Sequence, residues 1–368
     1  MRFALVLDSK FKDNFNIVHT FTERLKILNE NENIHRDIFF TREIEGNIAN
    51  TFAQYDAIYT RHTLPSELIE QIKLPIFAQH EFPFNSMGKF NSKCIYLTDV
   101  SYTEFFPNAE KQTIYANFSH HKNLTERKYD ILFLGRFQAR KNEYILNKNK
   151  SNILQYIIFL ILRNYIIKKT NLINSSKELI EDTKFIKPLS LLLRDKYRIY
   201  WHLLQSLRNK RRDLIVNDLY KLSKKGRQVC LIIDKASKYR VKKHKNIDLF
   251  FDKNESEVEE LMKNSKTVVV QTPMHLSIYN ERFVSALNTG CIPLVEPYPQ
   301  YKEFFKSFEQ NYFFDYSAKS LYQTAENVLK NLHEFEKSRK TIEESCITKF
   351  SSKLFRKTFK QYLDKYSQ

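Results

Sequence analysis

Glycine is scarce in this sequence: the 368 residues contain only five, at positions 46, 88, 135, 226 and 290. No two of them are close together, so a G-x-G-x-x-G or Walker-type phosphate loop is excluded. Cysteine is scarce as well, and the four residues lack the spacing of metal ligands. We interpret them as reduced packing residues and predict no metal site.

Long apolar runs are also missing. No stretch reaches the roughly 20 apolar residues that span a bilayer. The amino-terminal run in MRFALVLDSKF is too short for a signal peptide and is interrupted by Asp8. A cytoplasmic location is therefore the default expectation.

Acidic residues are outnumbered in one segment rather than throughout the chain. The net charge is +18, and residues 151–250 alone carry +15. This segment predicts a partner of negative charge, either an anionic membrane surface or a nucleic acid. No nucleic-acid-binding fold is recognisable, so nucleic acid is the less favoured partner.

Short apolar runs alternate with helical patterns from the amino terminus onward, which is typical of a doubly wound parallel sheet. The predicted strands of a first Rossmann-like domain, residues 1–122, are 3–7, 37–40, 57–60, 75–79 and 94–98. A second domain of the same class, 123–345, has predicted strands at 129–135, 228–234, 246–251, 267–270 and 291–295. A helix from Asn280 is predicted to end at Gly290.

The carboxyl-terminal residues 346–368 are predicted to form an amphipathic helix, with Leu354 and Phe359 among the residues available for burial. Between the first two strands of the second domain lies a predicted basic helical insertion, 146–207. Its apolar opening, ILQYIIFLILRNYIIKK, has two compatible interpretations: a helical hairpin packed on the domain, or a segment that lies on an anionic membrane.

Two stretches, YDILFLGRFQARKN and NERFVSALNTGCIPLVEP, resemble glycosyltransferases of the glycosyltransferase-B fold, in particular CgeB-like and group 1-like proteins. The resemblance covers the second domain apart from the insertion. It implies a metal-independent enzyme without a cofactor, whose donor is a nucleotide sugar. The acceptor would be a glycan or a lipid-linked glycan, in bacterial surface polysaccharide or lipooligosaccharide synthesis.

In that family, a Gly-Arg pair followed five residues later by Lys grips the donor diphosphate, and Gly135, Arg136 and Lys141 have this spacing. Independently of the family, Arg offers a diphosphate a bidentate fork and Lys offers a point charge. The two Glu residues usual in the family are missing, since Ser277 and Ser285 occupy their positions. Glu281 and Glu296 are the candidate substitutes for the ribose contact, and Ser285 is retained as a donor-site residue.

The motif Asn280-Glu281-Arg282 matches CgeB-like relatives at the start of the donor-domain helix. Arg282 at this helix start either reaches a phosphate or ties the helix to a neighbouring loop. Two further residues, Thr272 and His275, follow the strand 267–270 and are expected to contact the donor, because ligands bind beyond the carboxyl ends of such strands.

In the first domain, His80 and Glu81 follow the predicted strand 75–79. The pKa of an unperturbed imidazole suits a general base on the acceptor hydroxyl, so these two are the predicted catalytic residues. His62 lies at a similar strand end and is the alternative. Other functional hypotheses stay open: a fucosyltransferase-like or exostosin-like transferase of the same superfold, or a non-catalytic protein that binds sugar nucleotides or nucleic acid.

Overall fold

The computed structural model describes residues 1–44, 48–61, 64–79, 91–98, 108–111, 123–135, 153–168, 196–271, 280–305, 312–317 and 319–367. The chain divides into two compact units. The first consists of Met1–Tyr115 together with Thr348–Gln368, and the second is Ala116–Ile347.

The first unit contains a six-stranded sheet in the order β2-β1-β3-β4-β5-β6, in which every neighbouring pair is parallel. Its buried strands are rich in apolar residues because both faces of a parallel sheet are covered. The strands are β1 (Phe3–Leu7), β2 (Ile38–Phe40), β3 (Ala57–Arg61), β4 (Ile76–Gln79), β5 (Cys94–Thr98) and β6 (Ala109–Lys111). Its helices near the amino terminus are α1 (Phe15–Asn29), α2 (Ile48–Phe52) and α3 (Ser66–Gln71).

The second unit contains a five-stranded parallel sheet in the order β11-β10-β7-β8-β9. Read from β9, this is the doubly wound order 3-2-1-4-5, with the reversal of winding between β7 and β10. The strands are β7 (Tyr129–Gly135), β8 (Val229–Ile233), β9 (Ile247–Phe251), β10 (Ser265–Val270) and β11 (Ile292–Val295). The two parallel sheets confirm the predicted fold class and the glycosyltransferase-B architecture.

The helices of the second unit flank this sheet. They are α4 (Ile153–Lys168), α5 (Lys196–Lys224), α6 (Glu255–Lys263), α7 (Glu281–Asn288), α8 (Pro299–Phe305), α9 (Ser320–Lys330) and α10 (Leu332–Lys349). Both α4 and α5 overlap the predicted insertion, whose boundaries stay a prediction because residues 169–195 lie outside the described part of the chain.

The final helix, α11 (Ser352–Tyr366), completes the core of the first unit, although it lies at the opposite end of the sequence from β1 and β3. Its Phe359 ring lies 5.8 Å from that of Phe3, 5.5 Å from that of Tyr59 and 5.9 Å from that of Phe77, between ring centroids. The expected burial of Phe359 is confirmed. The expected burial of Leu354 is wrong, because the helix turns Phe355 inward and leaves Leu354 39% exposed.

Replacing Phe359 by Ala is expected to lower the free energy of unfolding of the first unit by about 3–5 kcal/mol, because it removes a buried ring and leaves a cavity. Urea unfolding followed by circular dichroism measures the effect. Leu354→Ala in the same helix is the matched control and is expected to stay within about 0.5 kcal/mol of the unchanged protein. Equal effects of the two substitutions would show that α11 does not pack as described.

Candidate functional site

Polar residues follow the strands of the second unit where the sheet reverses its winding. Gln271 follows β10, Glu296 follows β11 and Asp234 follows β8. Because the strands are parallel, their carboxyl ends lie at one edge of the sheet, and ligands of doubly wound folds bind at this edge. The side chains around β7 and β10 therefore define the candidate site.

Helix α7 is held at this edge of the sheet by hydrogen bonds at its N-cap and at its C-terminal end. The Oδ1 atom of Asn280 accepts a hydrogen bond from the backbone N–H of Arg282 at 2.9 Å. Its Nδ2 atom donates a hydrogen bond to the backbone carbonyl of Gln271 at 2.6 Å. At the other end Gly290 adopts a positive φ of 70°, and the N–H of Cys291 donates to the Ala286 carbonyl at 2.8 Å. This is a Schellman ending, and it confirms that Gly290 stops the helix.

Arg282 extends from the first turn of α7 to the end of β7. Its Nη1 donates to the Leu134 carbonyl at 2.7 Å, and the side chain is half-buried. Burial, followed by the positive charge of Arg208, lowers the pKa of Arg282 to about 10, against the smaller opposing effect of Glu281. Arg282 thus ties α7 to strand β7 rather than to a neighbouring loop, and its predicted contact with a phosphate stays a prediction.

Gln271 joins this corner to the long helix α5. The Oε1 atom of Gln271 accepts a hydrogen bond from Nε of Arg212 at 2.8 Å. Its Nε2 atom donates a hydrogen bond to the backbone carbonyl of Arg208 at 3.4 Å. Arg212 is 4% exposed. Its pKa is well below the ordinary value, first because of burial and then because Arg208 and Arg282 are close.

The guanidinium groups of Arg208, Arg212 and Arg282 therefore concentrate positive charge beyond β7 and β10. Burial and the neighbouring cations both disfavour the charged forms of Arg212 and Arg282, so an anion placed here would be favoured. Arg208, Arg211 and Arg212 have the i, i+3, i+4 spacing of one helix face. That spacing is visible in SLRNKRRDLIV, but the sequence interpretation assigned these residues only to the general basic segment.

Arg211, beside this cluster, has a different environment. It is 1% exposed, its Nη1 lies 3.7 Å from Oε1 of Glu296, and its Cζ lies 4.5 Å from the Tyr316 ring centroid. Burial alone would lower the pKa of Arg211, but Tyr298, Tyr316 and Glu296 outweigh it and raise that pKa above its ordinary value. Tyr316 donates its hydroxyl to Glu296, so this carboxylate is engaged in the interior.

Four predicted donor-site residues are described, and the structure brings three of them together at the start of α7. Asn280 and Arg282 make the contacts given above, while Glu281 is exposed beside them. Ser285 is half-buried, about one turn further along α7. The other predicted site residues lie outside the described residues and stay predictions: His80, Glu81, Arg136, Lys141, Thr272 and His275.

The end of β4 in the first unit, which His80 follows, is held by a buried polar cluster. Tyr59 donates its hydroxyl to Oε1 of Gln79 at 2.8 Å, and Arg24 donates to the same oxygen. These bonds fix the last residue before His80 and Glu81. Among the described residues, no group of three or more His, Cys, Asp or Glu could hold a metal ion, and no helix is both long and apolar enough to cross a membrane.

The fold is shared with glycosyltransferases whose sequences are very different. The chain matches a glycosyltransferase from Rickettsia africae with a TM-score of 0.53 and 11% identity, covering 100% of this chain and 99% of the other. It matches T4 phage BGT in complex with its UDP-glucose substrate with a TM-score of 0.52 and 9% identity, covering 99% and 100%. Anabaena HepE in complex with UDP and glucose gives 0.50 and 9%, with 99% of both chains covered.

No family model and no curated protein matches the sequence. Since all three structural matches are far below the identity at which function is transferred, they establish the two-sheet fold and nothing beyond it.

The cluster is expected to bind inorganic pyrophosphate, and Arg282→Gln is expected to weaken that binding by about 10- to 100-fold, the effect of losing one charge-assisted hydrogen bond. The difference in affinity between the unchanged protein and Arg282→Gln should shrink as the pH rises through about 10, where Arg282 loses its proton. Isothermal titration calorimetry across this pH range measures both effects.

Arg227→Gln is the matched control, because Arg227 precedes β8 at the opposite edge of the sheet and pairs with Glu326 at 2.9 Å. It should leave pyrophosphate affinity unchanged. The charge cluster is not an anion site if both substitutions have the same effect, or if pyrophosphate does not bind to the unchanged protein.

Proposed function

We propose that this protein is a nucleotide-sugar-dependent glycosyltransferase that transfers a sugar to a glycan or glycolipid acceptor. The observation that carries the proposal is the cluster of Arg208, Arg212 and Arg282 at the strand ends where doubly wound sheets bind ligands. A donor diphosphate carries the charge that this cluster would favour. The shared fold with glycosyltransferases supports the same activity.

The cluster would act on the leaving group. When the bond between the sugar and the diphosphate breaks, negative charge grows on the diphosphate oxygens, and cations already in place stabilise it without reorganising. Arg212 is oriented by Gln271, and Arg282 by the Leu134 carbonyl. Arg136 and Lys141, which follow β7 in sequence, would add to this charge, as the resemblance to CgeB-like proteins implies.

UDP is the first donor nucleotide to test, because T4 phage BGT was solved with UDP-glucose and HepE with UDP and glucose. The residue that contacts the donor ribose must differ from that of the family relatives, because Ser277 and Ser285 stand where those relatives carry Glu. Glu296 is engaged with Tyr316 and Arg211 in the interior. The exposed Glu281 and the half-buried Ser285 on α7 are therefore the better candidates for a sugar hydroxyl.

On the acceptor side, we retain His80 as the general base and Glu81 as its neighbour. The fixed end of β4 supports this assignment, because a base must be held within hydrogen-bond reach of the proton that it removes. The biological product proposed is a bacterial surface polysaccharide or lipooligosaccharide, made on the cytoplasmic side.

A non-catalytic sugar-nucleotide-binding protein is the second candidate. It is favoured by one specific observation: Ser277 and Ser285 stand where relatives carry Glu. Such a protein would keep the diphosphate contacts of Arg212 and Arg282 and lack turnover. Release of free nucleotide from a bound sugar nucleotide distinguishes the two candidates.

In calorimetric titrations with UDP, GDP, CDP and ADP, one nucleotide is expected to bind, and Arg136→Ala is expected to weaken it by about 10- to 100-fold, because a charged hydrogen bond to phosphate is lost. Arg36→Ala, at an exposed position of the first unit, is the control and should bind as the unchanged protein does. If a correctly folded protein binds none of the four at millimolar concentration, the transferase proposal is wrong.

His80→Asn is expected to lower kcat for transfer by about 10²- to 10⁴-fold while leaving the donor Kd unchanged, because a general base acts on the acceptor and not on the donor. Steady-state kinetics with the identified donor, together with donor titration, separates the two effects. His35→Asn, an exposed histidine of the same unit, is the control. An unaltered kcat would shift the role of base to His62.

A further inference from the structure

The outer strand of the second sheet, β9, has an incompletely covered face. A parallel crossover usually contains an α-helix that packs on the sheet. The connection from β8 to β9, residues 234–246, contains only the 3-10 helix Lys235–Arg240. Ile247, Leu249 and Phe251 alternate along β9 and so share one face, and all three are only half-buried.

These three residues form, with Val241, the apolar floor of a groove of about 520 Å³. Exposed lysines line the same groove: Lys238, Lys242, Lys243 and Lys245. The Lys238 ammonium nitrogen lies 5.8 Å from the Phe251 ring centroid, so cation and floor are in direct contact. The groove thus combines an apolar floor with a cationic rim.

Nearby carboxylates are engaged with other cations. Both oxygens of Asp213 accept from Arg240 at 2.9 Å, and Asp248 accepts from Lys128 at 2.8 Å. No acidic residue occurs between 235 and 247. Among the described residues, no carboxylate forms an ion pair with the rim lysines, so their charge faces the solvent.

We propose that this groove docks the protein on a bilayer of anionic phospholipid. A run of four to eight cations is the usual signature of such a surface, and residues 235–245 contain six. Three of the four floor residues are aliphatic and suit acyl chains, whereas proteins that bind single-stranded nucleic acid stack successive bases on several aromatic rings, and this floor has one, Phe251. Tyr239, 65% exposed beside the rim, is the kind of residue that lies at a membrane interface.

Helix α4 has an exposed apolar surface of its own. Its Ile157 and Ile161, four residues apart on one helix face, are 46% and 63% exposed. The same helix adjoins the basic segment, because Arg163 and Ile167 line a small cavity together with Arg240. Arg163 and Ile167 lie on a different face of the helix from Ile157 and Ile161, so the exposed isoleucines are an apolar surface separate from the groove.

The test is co-sedimentation with vesicles of equal parts phosphatidylcholine and phosphatidylglycerol, compared with vesicles of phosphatidylcholine alone. The unchanged protein is expected to bind the anionic vesicles and not the neutral ones. The triple variant Lys242→Gln, Lys243→Gln, Lys245→Gln is expected to bind about 100-fold more weakly, since each lysine near an anionic surface contributes about a factor of five. Its positions are exposed, so folding should be retained.

A control triple variant, Lys330→Gln, Lys337→Gln, Lys340→Gln, removes the same charge from exposed positions of α9 and α10. It should bind the anionic vesicles as the unchanged protein does. The proposal is overturned if this control loses as much binding as the groove variant, because the attraction would then depend on net charge alone. It is also overturned if a single-stranded oligonucleotide binds more tightly than the vesicles and loses binding in the groove variant.

Tyr239→Ser tests the apolar contribution without changing the charge. We expect several-fold weaker binding to anionic vesicles and no change in nucleotide affinity, since the Tyr239 side chain is 65% exposed and its hydroxyl accepts from Arg240 rather than from a donor-site residue. Equal vesicle binding by this variant and the unchanged protein would argue against insertion. Vesicle binding can fail while nucleotides bind, and the reverse, so the two proposals are tested separately.

Discussion

Positive charge held away from water at the end of a parallel sheet is the constraint on which the second unit depends. Burying a guanidinium costs free energy unless hydrogen bonds and opposite charge compensate it. Two hydrogen bonds compensate part of this cost: Gln271 accepts one from Arg212, and the Leu134 carbonyl accepts one from Arg282. Both acceptors are available because Leu134 lies near the end of β7 and Gln271 directly follows β10. The lowered pKa values of Arg212 and Arg282 show that burial and mutual repulsion still dominate.

In the same helix, the cost of burying the Arg211 charge is fully compensated by its neighbours. Glu296, Tyr298 and Tyr316 raise its pKa, whereas the pKa of its neighbour Arg212 is lowered. Adjacent residues of α5 thus differ in electrostatic role, one being a structural cation and the other a cation under strain. Groups whose pKa is strongly shifted by burial and by neighbouring charge are concentrated at functional sites, and such sites commonly reduce stability.

Much of the fold is predictable because buried parallel strands are short apolar runs bounded by polar loops. The predicted 3–7 and 94–98 coincide with β1 and β5, and Gly290 ends α7 because the positive φ there suits glycine. The Arg cluster was missed for a physical reason: lysines and arginines surround it in the sequence, and only packing separates the buried cations from the exposed ones. Leu354 was assigned to the core because periodicity alone does not distinguish it from Phe355, which packs against residues far away in the chain.

The described part of the basic segment 151–250 contains two separate concentrations of charge. Arg211 and Arg212 are buried and Arg208 is half-buried, so salt screens their charges little. Lys242, Lys243 and Lys245 face solvent, where charges more than about 10 Å apart are screened at 0.1 M salt. A ligand held by the arginines should thus depend on geometry and tolerate salt, whereas a surface attracted by the lysines should be released by it. If both proposals hold, one excess of charge would serve two kinds of recognition, because the fold buries one part of it and exposes the other.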